Sequence, residues 1–180
     1  VREIYFHEDE YGQLELVPEA NWSFLVKTMQ AAQEFSDAHR AGVGWTEIFS
    51  IPQPPIPLLE LKIRRSHLLK AVNGILPPFD RVLSGYGSQA TECEHTWAFG
   101  AHSSLAMFVE FDEDLVKTAW FTFDLRSQDD ATTALILCRA LAQWPVVLAD
   151  WGWNRLYRIT DEPALAQYFR DRVDVFGKSR

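Results

Sequence analysis

Cysteine is scarce: Cys93 and Cys138 are the only two in 180 residues. Two thiols cannot staple a disulfide scaffold, nor can they fill a multi-cysteine zinc site. Long apolar runs are missing too, none approaching the roughly 18 residues that span a bilayer. The opening run Val1-Arg2-Glu3-Ile4-Tyr5-Phe6 has no signal-peptide pattern. The expectation is a soluble, cytoplasmic chain that makes no membrane contact. Basic residues are also short, 17 Lys and Arg against 25 Asp and Glu, for a formal net charge of −8. Nucleic acid and anionic membranes are held through Lys and Arg that displace counterions or meet anionic lipid, so neither is an expected partner.

Motifs that name a reaction are absent as well. Ser84-Gly85-Tyr86-Gly87-Ser88 has glycines and hydroxyls but lacks the spacing and the lysine of a P-loop, and no third glycine makes a dinucleotide fingerprint. It also puts glycine where the nucleophile of a Gly-x-Ser-x-Gly elbow stands. A tight turn at a strand end accounts for it. No catalytic residue and no cofactor is assigned.

What the chain has in quantity is aromatic surface: seven Trp, five Tyr and twelve Phe, 13% of all residues. With 47% hydrophobic and 23% charged residues, such a chain can bury a large core without staples. The length fits one domain over residues 1–180. Pro52-Gln53-Pro54-Pro55-Ile56-Pro57 must be extended, because proline fixes φ and restricts its predecessor. Its two PxxP patterns would suit an SH3-like reader, but a stiff connector within one domain is the reading taken.

Charge is unevenly spread. Residues 1–60 hold three basic and ten acidic residues, whereas residues 61–180 hold fourteen and fifteen. Glu8-Asp9-Glu10 is the densest early knot, and Asp112-Glu113-Asp114 is a later one. The single basic cluster, Lys62 to Lys70, is short and has no interleaved aromatics, which makes it a solvated helix face rather than a nucleic-acid patch.

Periodicity and punctuation give an α+β domain: a largely antiparallel sheet packed by two main helices plus shorter ones. Arg2–His7 and Gln13–Val17 read as a hairpin around an acidic turn. A helix opens at Trp22 with Asn21 as its cap, its broad apolar surface either wedged between layers or offering Phe24 and Phe35 to a partner. Trp45–Ile51 looks like a strand, and a short helix stops at Asn73-Gly74. Leu105–Phe111 and Lys117–Leu125 form the strongest hairpin, joined by Asp112-Glu113-Asp114. Asp129-Asp130 opens a core helix running to Ala142. Val146–Ala149 and Arg155–Ile159 are short strands, and Asp161-Glu162-Pro163 opens a last helix.

Three segments have side chains worth testing for chemistry. Cys93, His95 and His102 could offer three metal ligands, with Glu92 or Glu94 a fourth, but the spacing matches no zinc pattern and no metal is assigned. Cys138 lies in the apolar helix as packing. Asp150-Trp151-Gly152-Trp153 leaves a buried strand between two large rings, a place for a ligand groove or an interface hot spot, or else a turn whose indoles close the core.

Taken together, the acidic turn at Glu8-Asp9-Glu10, the stretch from Phe79-Asp80 to Ser88, Thr96-Trp97-Ala98-Phe99-Gly100 and Ala149-Asp150-Trp151 give a profile that resembles bacterial immunity proteins. These are small cytosolic antidotes to polymorphic or contact-dependent toxins. The likeness lies in size and α+β character. It implies no catalysis and no cofactor, and a basic protein partner such as a toxin domain. The partner-binding residues expected on exposure and charge are Glu8, Asp9, Glu10, Asp112, Glu113, Asp114, Asp150, Trp151 and Trp153. One alternative is a small-ligand binder or enzyme with an aromatic pocket at Trp97, Trp120, Trp151 and Trp153 and an acid/base at His95 or His102. Another is a self-associating module with its seam at Phe24 and Phe35.

Overall fold

The computed structural model describes residues 1–42, 44–85, 90–102 and 104–177, with the side chains of Trp45 and His102 outside that description. Tyr86, Gly87 and Ser88 of the glycine-containing turn also lie outside the described residues. The architecture is α+β. In chain order its strands are β1 (Glu3–Phe6), β2 (Leu14–Pro18), β3 (Arg40–Ala41), β4 (Gly44–Trp45), β5 (Arg81–Ser84), β6 (Thr91–Glu92), β7 (Thr96–His102), β8 (Leu105–Asp112), β9 (Leu115–Phe123), β10 (Val146–Asp150) and β11 (Arg155–Arg158). The helices are α1 (Trp22–Ala38), α2 (Arg65–Val72), α3 (Gln128–Leu141) and α4 (Glu162–Phe176).

The main sheet is antiparallel with the order β11-β10-β2-β9-β8-β7, and β1-β5-β6 form a smaller sheet. Strand alternation gives the main sheet two different faces. Leu14, Leu16, Met107, Val109, Phe121, Phe123 and Leu148 point to one side, where they pack with Leu68 and Val72 of α2, Leu137 and Leu141 of α3, and Leu165 and Phe169 of α4. The opposite side is divided. Val17, Val147 and Ala149 meet Leu25 and Met29 of α1, while Ala98, Ala106, Phe108 and Trp120 meet Phe6 of β1 and Val82 of β5. Three layers result, with two-sided burial of the central strands.

The β8–β9 hairpin forms as the sequence predicts, with Phe108 opposite Trp120. The N-terminal hairpin does not. β1 pairs in parallel with β5, Tyr5 opposite Leu83, and β2 instead enters the centre of the main sheet between β10 and β9. The reason is two-sided burial: Leu14, Leu16 and Val17 are all covered, and a two-stranded ribbon could cover only one face. Trp45–Ile51 is not a strand either. Only Gly44–Trp45 pairs, with Arg40–Ala41, and among the described residues no further strand lies alongside the chain beyond it.

Helix ends also differ in detail. The Asn21 side chain makes no cap; it donates to Ile56 O at 2.8 Å and accepts from Ile56 N at 3.1 Å, which pins the proline-rich segment to the start of α1. Residues 52–57 form no helix or strand. α1 is a surface helix, buried only through Leu25, Thr28 and Met29, and is not wedged between layers. Its Phe24 packs toward the sheet, while Phe35 stacks on His39 at 3.9 Å. α3 is capped by Ser127, whose hydroxyl accepts from Asp130 N, while Asp130 Oδ2 accepts from Ser127 N and Arg126 N. α4 starts as expected, with the Asp161 side chain accepting from Ala164 N.

Candidate partner-binding surface

After β1 the chain turns through a short 3-10 segment, Glu8–Glu10. The turn is fixed by a reciprocal bond in which Glu10 Oε2 accepts from His7 N at 2.8 Å. Glu8 and Asp9 are exposed. Glu8 also lines a cleft of about 620 Å³ with Phe6, Tyr11, Ser84, Gly85, Thr91 and Cys93. Glu10 lines a second cleft of about 300 Å³ with Glu3, Thr122 and Asp124. The acidic turn therefore stands at the shared rim of two depressions.

Tyr11 links this turn to the main sheet. Its ring lies 4.7 Å from that of Trp120, which is itself stacked on Phe108 at 5.3 Å and 9°. Its hydroxyl donates to Glu110 Oε2 at 3.4 Å, and Thr118 Oγ1 donates to the same oxygen at 3.3 Å. Burial, followed by the Glu110 carboxylate, pushes the Tyr11 hydroxyl above its ordinary range. Glu110 lies on β8, which ends at Asp112.

The second acidic turn, Asp112-Glu113-Asp114, is exposed at all three residues. Its backbone is held by Arg65, which donates through Nη2 to Glu113 O and through its own N–H to Asp114 O at 2.8 Å. The same guanidinium lies over the rings of Phe111 and Trp97, at 4.7 and 5.3 Å. Glu113 sits in the left-handed region at φ 52°, so the tip is a tight, fixed turn. Among the described residues, Glu8, Asp112, Glu113 and Asp114 have no basic group within ion-pair reach.

The acidic excess of the first sixty residues is not one surface. Glu3 pairs with Arg81, Glu19 with Arg158, and Glu47 faces His39, while Glu34 and Asp37 lie along α1. What comes together is Glu8–Glu10 with the strand leading to Asp112–Asp114, a grouping that crosses the chain and escapes any count by segment. Tyr11, Glu110 and Arg65 build it and were not singled out as site residues. The only sequence hints were an aromatic closing an acidic turn and an arginine inside the basic cluster.

Asp150 is a correction. It is 1% exposed and is ion-paired to Arg172 at 2.7 Å, and so cannot offer an anion to a partner. Tyr168 Oη donates to Asp150 Oδ2 at 2.7 Å and Trp153 N donates to Oδ1 at 2.9 Å. Trp153 packs edge-on against Tyr168, with the Arg172 guanidinium 4.5 Å from its ring centre. Trp151 faces the opposite side of the sheet, its Nε1 donating to Glu15 Oε1 at 3.0 Å. Both indoles are half-buried and close the core.

The four tryptophans of the expected aromatic pocket do not meet. Trp97 packs against Phe111, Trp120 lies beneath Tyr11, and Trp151 and Trp153 occupy opposite faces. Cys93 lines the larger cleft, with burial and then Glu110 raising its thiol pKa, and His95 is exposed in the turn before β7. The His102 side chain lies outside the described residues. Among the described residues no cluster of three His, Cys, Asp or Glu could hold a metal ion, and no helix is long and apolar enough to cross a membrane. No protein-family model, curated protein or solved structure matches the chain.

Proposed function

We propose that this chain is a non-catalytic binding protein of the immunity type, which neutralises a basic toxin domain through an acidic surface. The observation that carries the reading is the bond from Tyr11 to Glu110 Oε2, which sets the Glu8–Glu10 turn beside the strand ending in Asp112–Asp114. Both turns are held by fixed backbone bonds, so their carboxylates are presented with little ordering left for a partner to induce. Exposed carboxylates without a basic partner among the described residues, here Glu8 and Asp112–Asp114, attract a cationic surface over distance and speed its encounter. Such a surface blocks a nuclease or similar toxin by covering the positive groove where its substrate lies.

The test is co-expression with a toxin domain encoded beside this gene, together with stopped-flow association of the two purified proteins. Growth should be restored. The association rate should fall steeply as salt rises, because screening shortens the reach of charge to about 8 Å at physiological strength. Changing Glu8→Gln, Asp112→Asn and Asp114→Asn together should slow association at low salt without unfolding the protein. Persistent growth arrest with no complex formed overturns the reading for that pair.

A further inference from the structure

A separate groove lies between α2 and the edge strand β7, with a volume of about 490 Å³, within the range of small-molecule sites. Its walls are apolar: Leu69, Val72 and Leu76 from the α2 side, and Trp97 and Phe99 from β7. Val72, Leu76 and Phe99 are buried floor residues, whereas the Trp97 indole is 39% exposed. An exposed indole over an apolar floor is surface that a ligand's hydrocarbon can cover at a gain.

The groove has one charged lining residue, Lys70, with Asn73 one turn further along. Lys70 has no acidic group within ion-pair reach among the described residues. At the Trp97 end the Arg65 guanidinium lies over the indole, and its Nε has no acceptor among the described residues. Exposed His67 and Arg64 continue the basic side of the helix. The carboxylates of Asp112–Asp114 are nearby, but the turn presents backbone carbonyls to Arg65 and contributes no lining residue. The one charge lining the groove itself is therefore positive, as an anionic head group requires.

We infer that this groove binds a small amphiphilic carboxylate. The aliphatic tail lies on Val72, Leu76, Phe99 and the Trp97 ring, and the carboxylate meets the Lys70 ammonium and the Asn73 amide. The groove shares Arg65 with the Asp112–Asp114 turn but takes no lining residue from it, and its occupancy does not require a protein partner.

Octanoate, octanol and octylammonium share a tail and differ in head-group charge, which makes them the discriminating probes. Titrations are followed by tryptophan fluorescence in the wild type and in Trp97→Phe, and by methyl NMR of the leucines and valines. Octanoate should bind tightest and octylammonium weakest, with shifts centred on Leu69, Val72 and Leu76 and the fluorescence change lost in Trp97→Phe. Lys70→Glu, an exposed change whose fold is checked by circular dichroism, should weaken octanoate about fivefold and leave octanol unchanged. Equal affinity for the three probes, a preference for octylammonium, or methyl shifts centred elsewhere would each overturn the assignment.

Discussion

Arg172 reaches from α4 to the end of β10 and donates through Nη2 to Asp150 Oδ2 at 2.7 Å, with Asp150 1% and Arg172 6% exposed. Arg172 Nη1 donates to Phe123 O at 3.0 Å and Nε to Tyr168 Oη at 2.7 Å, so one cation joins β9, β10 and α4. A buried pair of this kind is costly to break from one side, since the survivor keeps its charge without a counter-ion. Arg172→Met should cost about 3–5 kcal/mol in urea unfolding. The double change Asp150→Asn with Arg172→Met should cost clearly less than the sum of the single changes. Additive losses would show that the two groups stabilise the fold separately.

Glu15 gives a pH dependence of definite sign. Burial raises its pKa, and the bond from Trp151 Nε1 opposes that only in part. A carboxyl raised in the folded state favours folding while protonated, so its contribution is present below the unfolded pKa and is lost as pH rises through the folded one. Glu15→Gln keeps an oxygen to accept from Trp151 and removes the titration. Unfolding free energies measured from about pH 4 to about pH 7 should fall less steeply with rising pH in the variant than in the wild type. Identical slopes would refute the assignment to Glu15.

The two thiols should separate cleanly in reactivity. Complete burial pushes the Cys138 thiol up to about 12, and it has no access to reagent. Cys93 is half-buried beside the cleft, its thiol raised by burial and then by the Glu110 carboxylate. A disulfide reagent near neutral pH should modify one thiol in the native protein and the second only on unfolding. Because the nucleophile is the thiolate, Glu110→Gln should speed the native reaction by about twofold. A slower reaction in that variant would contradict the electrostatic assignment.

Gly100 is required by close packing. A Cβ built there would stand 2.7 Å from Phe79 Cε2 and 2.8 Å from Leu105 O, with a register shift between Gly100 and His102 in the β7–β8 ladder. Phe79 can give way but the Leu105 carbonyl cannot, being part of a paired strand. Gly100→Ala should destabilise the protein by about 1–3 kcal/mol, measured by thermal or urea unfolding. A neutral effect would mean that the bulge absorbs a methyl group.

The elements that could be read in advance were those whose pattern is local. An apolar run marks β8 and alternation marks β9, the acidic run between them marks the turn, and Asp161 followed by Pro163 marks the start of α4. The pairing of β1 and β2 could not be read, because Leu14–Val17 alternates well enough for a hairpin and only the strands beginning at Leu115 and Val146 reveal that both its edges are paired within the main sheet. The acidic turns were visible as runs of letters. Their connection through Tyr11 and Glu110 was not, since it spans 99 positions. Asp150 misled because an acid beside two tryptophans looks like a surface site until its arginine, on another element, is known.

The central position of β2 sets a timetable for the ribosome. Its neighbours begin at Leu115 and Val146, so a nascent chain that has reached residue 100 holds Leu14, Leu16 and Val17 without either strand that pairs with them in the folded sheet. Long-range closure of this sort is slow, because chain entropy is lost before any contact rewards it. Of the main-sheet strands β2 is thus translated first, yet its second edge is closed only once Val146–Asp150 has been made.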